Sequence, residues 1–155
     1  MTTHRVFATR RVAARPQLVY DIIADYTDGH RLILPKVFDG LDVEQGGVGA
    51  GTVIRFGMRV LGKVRYTRAH VEEPSPGRLL TERDFDTGAV TSFLVEPATG
   101  GAQSDVTIST ELELPGGALV RLQRWFATHF LRRVYAEELG LLDTVARRRS
   151  AASQG

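Results

Sequence analysis

Three side chains combine a type that could do proton or carbonyl chemistry with a position inside a patterned segment: His129, Arg83 and Arg133. An imidazole such as that of His129 titrates near neutral pH and can serve as acid or base, although a packed, hydrogen-bonded histidine is the commoner case. Arg83 shares a strand parity with Leu79 and Phe85, which predicts an inward guanidinium able to polarise a carbonyl; a slip of one residue would expose it. Arg133 is followed one turn later by Glu137. The two either form an inward pair that orients a polar ligand head or an ion pair at the edge of a helix contact. The edge reading is favoured, because long charged side chains reach water easily.

Other chemistries find little support. The chain has no cysteine, so disulfides, thiolate nucleophiles and thiolate metal ligands are all absent. His4, His30, His70 and His129 show no metal-ligand spacing, and no metal or other cofactor is expected. There is no G-x-S-x-G nucleophile motif. The glycines of "QGGVGAGT" lack the Lys-Ser/Thr of a phosphate loop and lead into a strand, so a hairpin accounts for them better. What remains is a set of large apolar side chains with isolated polar groups among them. Phe56, Met58, Phe93, Phe126 and Phe130, with Thr110 and His129, are the candidate lining of a small-molecule pocket, and Thr91 could add a second hydroxyl. A solid core would use the same residues, and periodicity alone leaves both readings open.

The elements that must position these groups follow from the pattern. A first strand is predicted at about 3–13. Pro16 then suits a first helical turn, and Val19, Ile22, Ile23 and Tyr26 recur at i, i+3, i+4 and i+7. Asp28-Gly29 breaks that helix, and "HRLILP" supplies one more short turn before Pro35. Six strands are predicted at about 37–45, 51–61, 63–73, 78–86, 89–96 and 104–114, joined by connections too short for parallel crossovers. Alternation places Ile54, Phe56, Met58 and Val60 on one face, and Val106, Ile108, Thr110 and Leu112 on another. A long helix is predicted from about 118 to 148. Its apolar side carries Leu119, Leu122, Phe126, Phe130, Val134 and Leu141, with Arg121, Arg124 and Arg132 away from it.

One domain over 1–150 with a disordered tail at 151–155 fits a chain of 155 residues, 43% apolar and 25% charged, with no repeat or linker. A net charge of +2 gives no reason to expect nucleic acid as a partner. No apolar run approaches the ~20 residues of a membrane span, and "MTTHRVFATRRVAARP" has no leader-like apolar region, so no stable membrane insertion and a cytoplasmic location are expected.

With this order in place, the chain resembles the START-like (SRPBCC) superfamily, in its polyketide cyclase/dehydrase and lipid-transport branch. Four segments carry the resemblance: "VAARPQLVYDIIADY", "LPKVFDGLDVEQGGVGAGT", "FLVEPATGGAQSDVTIS" and the long terminal helix. It implies an α+β helix-grip fold, in which a curved antiparallel sheet of about seven strands wraps a long C-terminal helix and two short helices follow the first strand. It also implies an apolar cavity between sheet and helix for a lipid, polyketide or similar hydrophobic ligand, in a monomer or homodimer. Two functions are compatible with it. One is binding, sequestration or transport of the ligand; the other is a polyketide cyclase or dehydratase in which His129, Arg83 or Arg133 acts on a poly-β-keto or aromatic substrate. The superfamily shares no catalytic motif that could be carried over to particular residues.

Overall fold

The computed structural model describes residues 2–154 and follows the predicted order closely. Strand β1 (Thr2–Val12) is followed by helices α1 (Pro16–Ala24) and α2 (Gly29–Leu32). Then come β2 (Phe38–Gln45), β3 (Val53–Val60), β4 (Lys63–Ser75), β5 (Leu79–Asp84), β6 (Val90–Ala98), β7 (Gln103–Leu114) and the long helix α3 (Val120–Ser153). The long helix runs three residues into the segment 151–155 expected as a tail.

All neighbouring strands pair antiparallel, in the order β1-β7-β6-β5-β4-β3-β2. Hairpins explain five of these pairings; only β1 lies beside a strand distant in sequence, β7. Register shifts at Asp39/Leu41, Val43/Gln45 and Glu72/Ser75 interrupt the ladders. Each adds local twist and bends the bulged strand. Sheet, α1 and α3 share one core, in which Ile22, Ile23, Ile54, Leu80, Ile108 and Leu142 are at most 1% exposed.

The short helices close one end. Pro16 begins α1, and Val19, Ile22 and Ile23 of the predicted stripe are buried on it; the helix ends at Ala24, earlier than the expected break at Asp28-Gly29, and the fourth stripe residue, Tyr26, is buried in the turn that follows. Next, Gly29 lets α2 pack directly on α1: a Cβ there would lie 2.7 Å from the Ile22 carbonyl oxygen. The glycine-rich turn between β2 and β3 is tied to the same place. Its Gly47 carbonyl accepts from the Tyr26 N–H, and its Gly49 N–H donates to the Ala24 carbonyl, both at 2.9 Å. Gly46, Gly49 and Gly51 adopt positive φ to make that path, which is structural work rather than phosphate binding.

Helix α3 differs between its halves. Its second half buries Val134, Tyr135, Glu138, Leu139, Leu142, Val145 and Ala146. No residue from Val120 to Arg133 is fully buried, and Leu122 and Trp125 are 61% and 59% exposed. The predicted apolar side is therefore corrected: Leu119 and Leu122 face outward, and the face that meets the sheet runs through Tyr135, Glu138 and Leu142 instead. The reason is that the first half of α3 has apolar residues around much of its circumference, so a stripe fitted there does not continue in phase.

Candidate ligand cavity

Between sheet and α3 lies a cavity of about 60 Å³. Its apolar walls come from Ile54, Phe56 and Met58 of β3, from Phe93 of β6, and from Leu34, Phe38 and Leu41 around the start of β2. Strand alternation supplies these walls, because residues two apart on β3 point the same way. A second cavity of about 220 Å³ adjoins it and shares Phe56, Met58, Glu82, Thr91 and Tyr135 as walls. It extends past Val60, Arg65, Asp84, Ala89 and Leu131 toward the hairpin tips.

The inner cavity is polar at one end. His30, on α2, is 3% exposed, and its Nδ1 lies 2.7 Å from the Ile23 carbonyl oxygen. A carbonyl can only accept, so Nδ1 carries the hydrogen and the neutral ring keeps a lone pair on Nε2. That nitrogen lies 3.7 Å from Glu82 Oε1 of β5 and 3.9 Å from Glu138 Oε1 of α3. Tyr26, stacked on the His30 ring at 4.3 Å, donates its hydroxyl to Glu82 Oε1 at 2.5 Å. Glu138, 3% exposed, makes no hydrogen bond with its carboxyl among the described residues.

Burial decides the protonation states. It pushes the Glu138 carboxyl well above the ordinary range, and the charge of Glu82 pushes it further the same way. Both effects favour the protonated form of the Glu138 side chain. His30 is pushed down by burial, which outweighs the raising effect of Glu82, so it is neutral. The Tyr26 hydroxyl is raised by burial and by Glu82. Nearby, the hydroxyls of Thr91 and Thr110 are hydrogen-bonded at 2.7 Å, and Thr110 is hydrogen-bonded in turn to the Tyr135 hydroxyl.

Of the residues expected to line a pocket, Phe56, Met58 and Phe93 line the inner cavity and Thr110 the adjoining one, with Thr91 in both. Phe126, His129, Phe130 and Arg133 line instead a separate outer groove of about 480 Å³ that runs along α3 beside Val37, together with Trp125, Val134 and Glu137. There Phe126 and Phe130 stack at 5.7 Å, and the His129 ring is bonded through Nδ1 to the Trp125 carbonyl at 2.8 Å. Arg83 is exposed, and the inward parity of β5 belongs to Leu80 and Glu82. The expectation of an inward Arg83 is corrected accordingly: consecutive Leu79 and Leu80 fit either parity, and the choice of Leu79 reverses every side chain of the strand. Arg133 and Glu137 are both exposed, in keeping with the favoured edge reading, and the next residue, Glu138, is the inward acid.

Sequence reasoning missed His30, Glu82, Glu138 and Tyr135 as site residues. A signal for two of them exists. Glu82 stands two residues after Leu80, and Glu138 stands four after Val134, so each occupies an apolar parity or stripe with a carboxyl. His30 has no such mark, because it reaches the cavity only through the packing of α2 on α1.

Residues 3–147 match the family described as "Polyketide cyclase / dehydrase and lipid transport", and the chain belongs to that family. Solved structures agree on the fold. The KanY protein is 29% identical, with a TM-score of 0.82 over 95% of this chain and 99% of that one. A protein from Thermus thermophilus is 20% identical, with a TM-score of 0.78 over 95% and 99%. The Zhui aromatase/cyclase from a Streptomyces species is 16% identical, with a TM-score of 0.75 over 99% of both chains. Among curated proteins no relative matches. The architecture is that of the START-like superfamily, a helix-grip fold, and no helix among the described residues is long and apolar enough to cross a membrane.

Proposed function

We propose that the protein binds a hydrophobic small molecule between sheet and α3, with the molecule's polar group at His30, Glu82 and Glu138. The observation that carries this reading is the Glu138 carboxyl, which makes no hydrogen bond to the described residues and stands at the polar end of an apolar cavity. The outer groove supports a way in: Val37 adjoins Phe38 and Val134 adjoins Tyr135, so groove and cavity lie against the same two segments. Native mass spectrometry of protein purified from its own source tests the reading by showing any retained ligand. Filling the cavity with Met58→Trp should then abolish retention while the circular dichroism stays native. Retention by that variant would move the ligand elsewhere.

A second reading, polyketide cyclase or dehydratase, is favoured by one feature. A Glu138 carboxyl whose protonated form burial favours and a free lone pair on His30 Nε2 stand 3.9 Å apart, and an enolisation or a dehydration needs an acid and a base so placed. Turnover of a poly-β-keto substrate that is lost in both His30→Ala and Glu138→Gln, with ligand binding kept, would establish it. Binding without turnover would leave carriage.

A further inference from the structure

We propose that the polar group this cavity takes is a protonated amine, on an apolar body that extends into the adjoining cavity of about 220 Å³. The inference rests on the cavity reading above and adds the charge of the ligand. Its starting point is that the polar end offers acceptors. Glu82 presents carboxylate oxygens, Glu138 a carboxyl with no partner, and His30 a lone pair on Nε2, with both acids within 3.9 Å of that nitrogen. No lysine or arginine lines the inner cavity, and Arg65, the one cation on the walls of the adjoining cavity, is exposed. Nothing fixed in place therefore balances the charge of Glu82, or that of Glu138 once ionised.

A primary ammonium supplies what is missing. Its N–H donors match the acceptors of Glu82, Glu138 and His30, and its charge pairs with the acids in a dry site, where such hydrogen bonds are at their strongest. The walls suit the same group. Phe38, Phe56 and Phe93 line the cavity, and aromatic faces attract a desolvated cation. A ligand alcohol would use only part of this set. A ligand carboxylate would meet two carboxyls and no cation.

Proton release follows from the arrangement. The groups facing Glu138 are Glu82 from β5, His30 from α2, Tyr26 from the turn before α2, and Tyr135 from α3 itself; none is a cation at neutral pH. Burial and Glu82 favour the proton on Glu138, and an ammonium brought against that carboxyl works the other way, so amine binding is accompanied by proton release.

The test is isothermal titration with 2-phenylethylamine, 2-phenylethanol and 3-phenylpropionate at neutral pH, in buffers of different ionisation enthalpy. The amine should bind about ten-fold or more tighter than the alcohol, with a buffer-dependent heat that reports proton release, and the propionate should bind weakest. Glu138→Gln should weaken the amine by about ten-fold and abolish the proton release. Glu82→Gln serves as the second variant should Glu138→Gln fail to melt as a folded protein, and it too should weaken the amine. An alcohol or propionate that binds as tightly as the amine, or amine binding without proton release, would overturn the inference and leave hydrophobic binding standing. Binding by none of the three probes would take the cavity reading down with it.

Discussion

Tyr26 shows how a single residue couples the wall of the fold to the site. Its ring is fully buried and stacked on His30, while its hydroxyl gives Glu82 a hydrogen bond. Tyr26→Phe keeps the stacking area and leaves the Glu82 carboxyl short of a donor, which should cost about 1–3 kcal/mol; a lower urea midpoint at unchanged slope would report it. His129 and Arg133 make the opposite case. Both were reasonable candidates from residue type, yet both line the outer groove. His129→Ala and Arg133→Ala should each change the affinity for a cavity ligand by less than about two-fold, as titration calorimetry would show, because an exposed charge acts on encounter more than on residence. Why the wrong residues stood out is physical. Chemistry-bearing side chains are most visible in sequence where they interrupt an apolar period, and on β5 the period is displaced by one position, so the inward place goes to Glu82 and not to Arg83.

At the scale of elements, α3 is the informative one. Its second half closes the core over α1 and the sheet, while its first half lies along the groove with its larger side chains half in water. The energetics of substitution should divide at the same place. Leu142, fully buried, should cost about 2–5 kcal/mol when cut to Ala, through lost transfer energy and the cavity left behind. Leu122, 61% exposed, should change stability by no more than about 0.5 kcal/mol. Chemical denaturation of both variants checks the division; equal costs would mean that the first half of the helix packs against something more than the groove. Element boundaries, by contrast, were legible almost throughout. Every strand from β2 to β7 was predicted within about two residues at each end, because turn chemistry and strand alternation are both local. The phase of a 34-residue helix is not local: it depends on where the sheet meets it.

For the molecule as a whole, the fold was legible in the order of elements, and the chain's family match over residues 3–147 agrees with it. The site was not, because His30, Glu82 and Glu138 lie on three elements and converge only when α2 packs on α1 and α3 closes over the sheet. That convergence has a consequence for stability against pH. Glu138 has an ordinary carboxyl value of 4.5, raised in the folded state by burial and by Glu82. The folded chain then holds a proton that the unfolded chain has released, so stability falls as pH climbs from 4.5 through the raised value. His30 works the other way, since burial lowers it from 6.5 and the unfolded chain binds its proton first as pH falls. Its stabilising contribution is complete above 6.5 and shrinks below. On the alkaline side of 6.5, therefore, Glu138 acts without His30 against it. Thermal melts of the wild type should drop as pH rises above 6.5, and those of Glu138→Gln, which has no proton to lose, should drop less. Parallel declines in the two proteins would show that Glu138 is already ionised in the folded chain, and an acid without a buried proton could neither donate to a ligand oxygen nor release a proton to an ammonium.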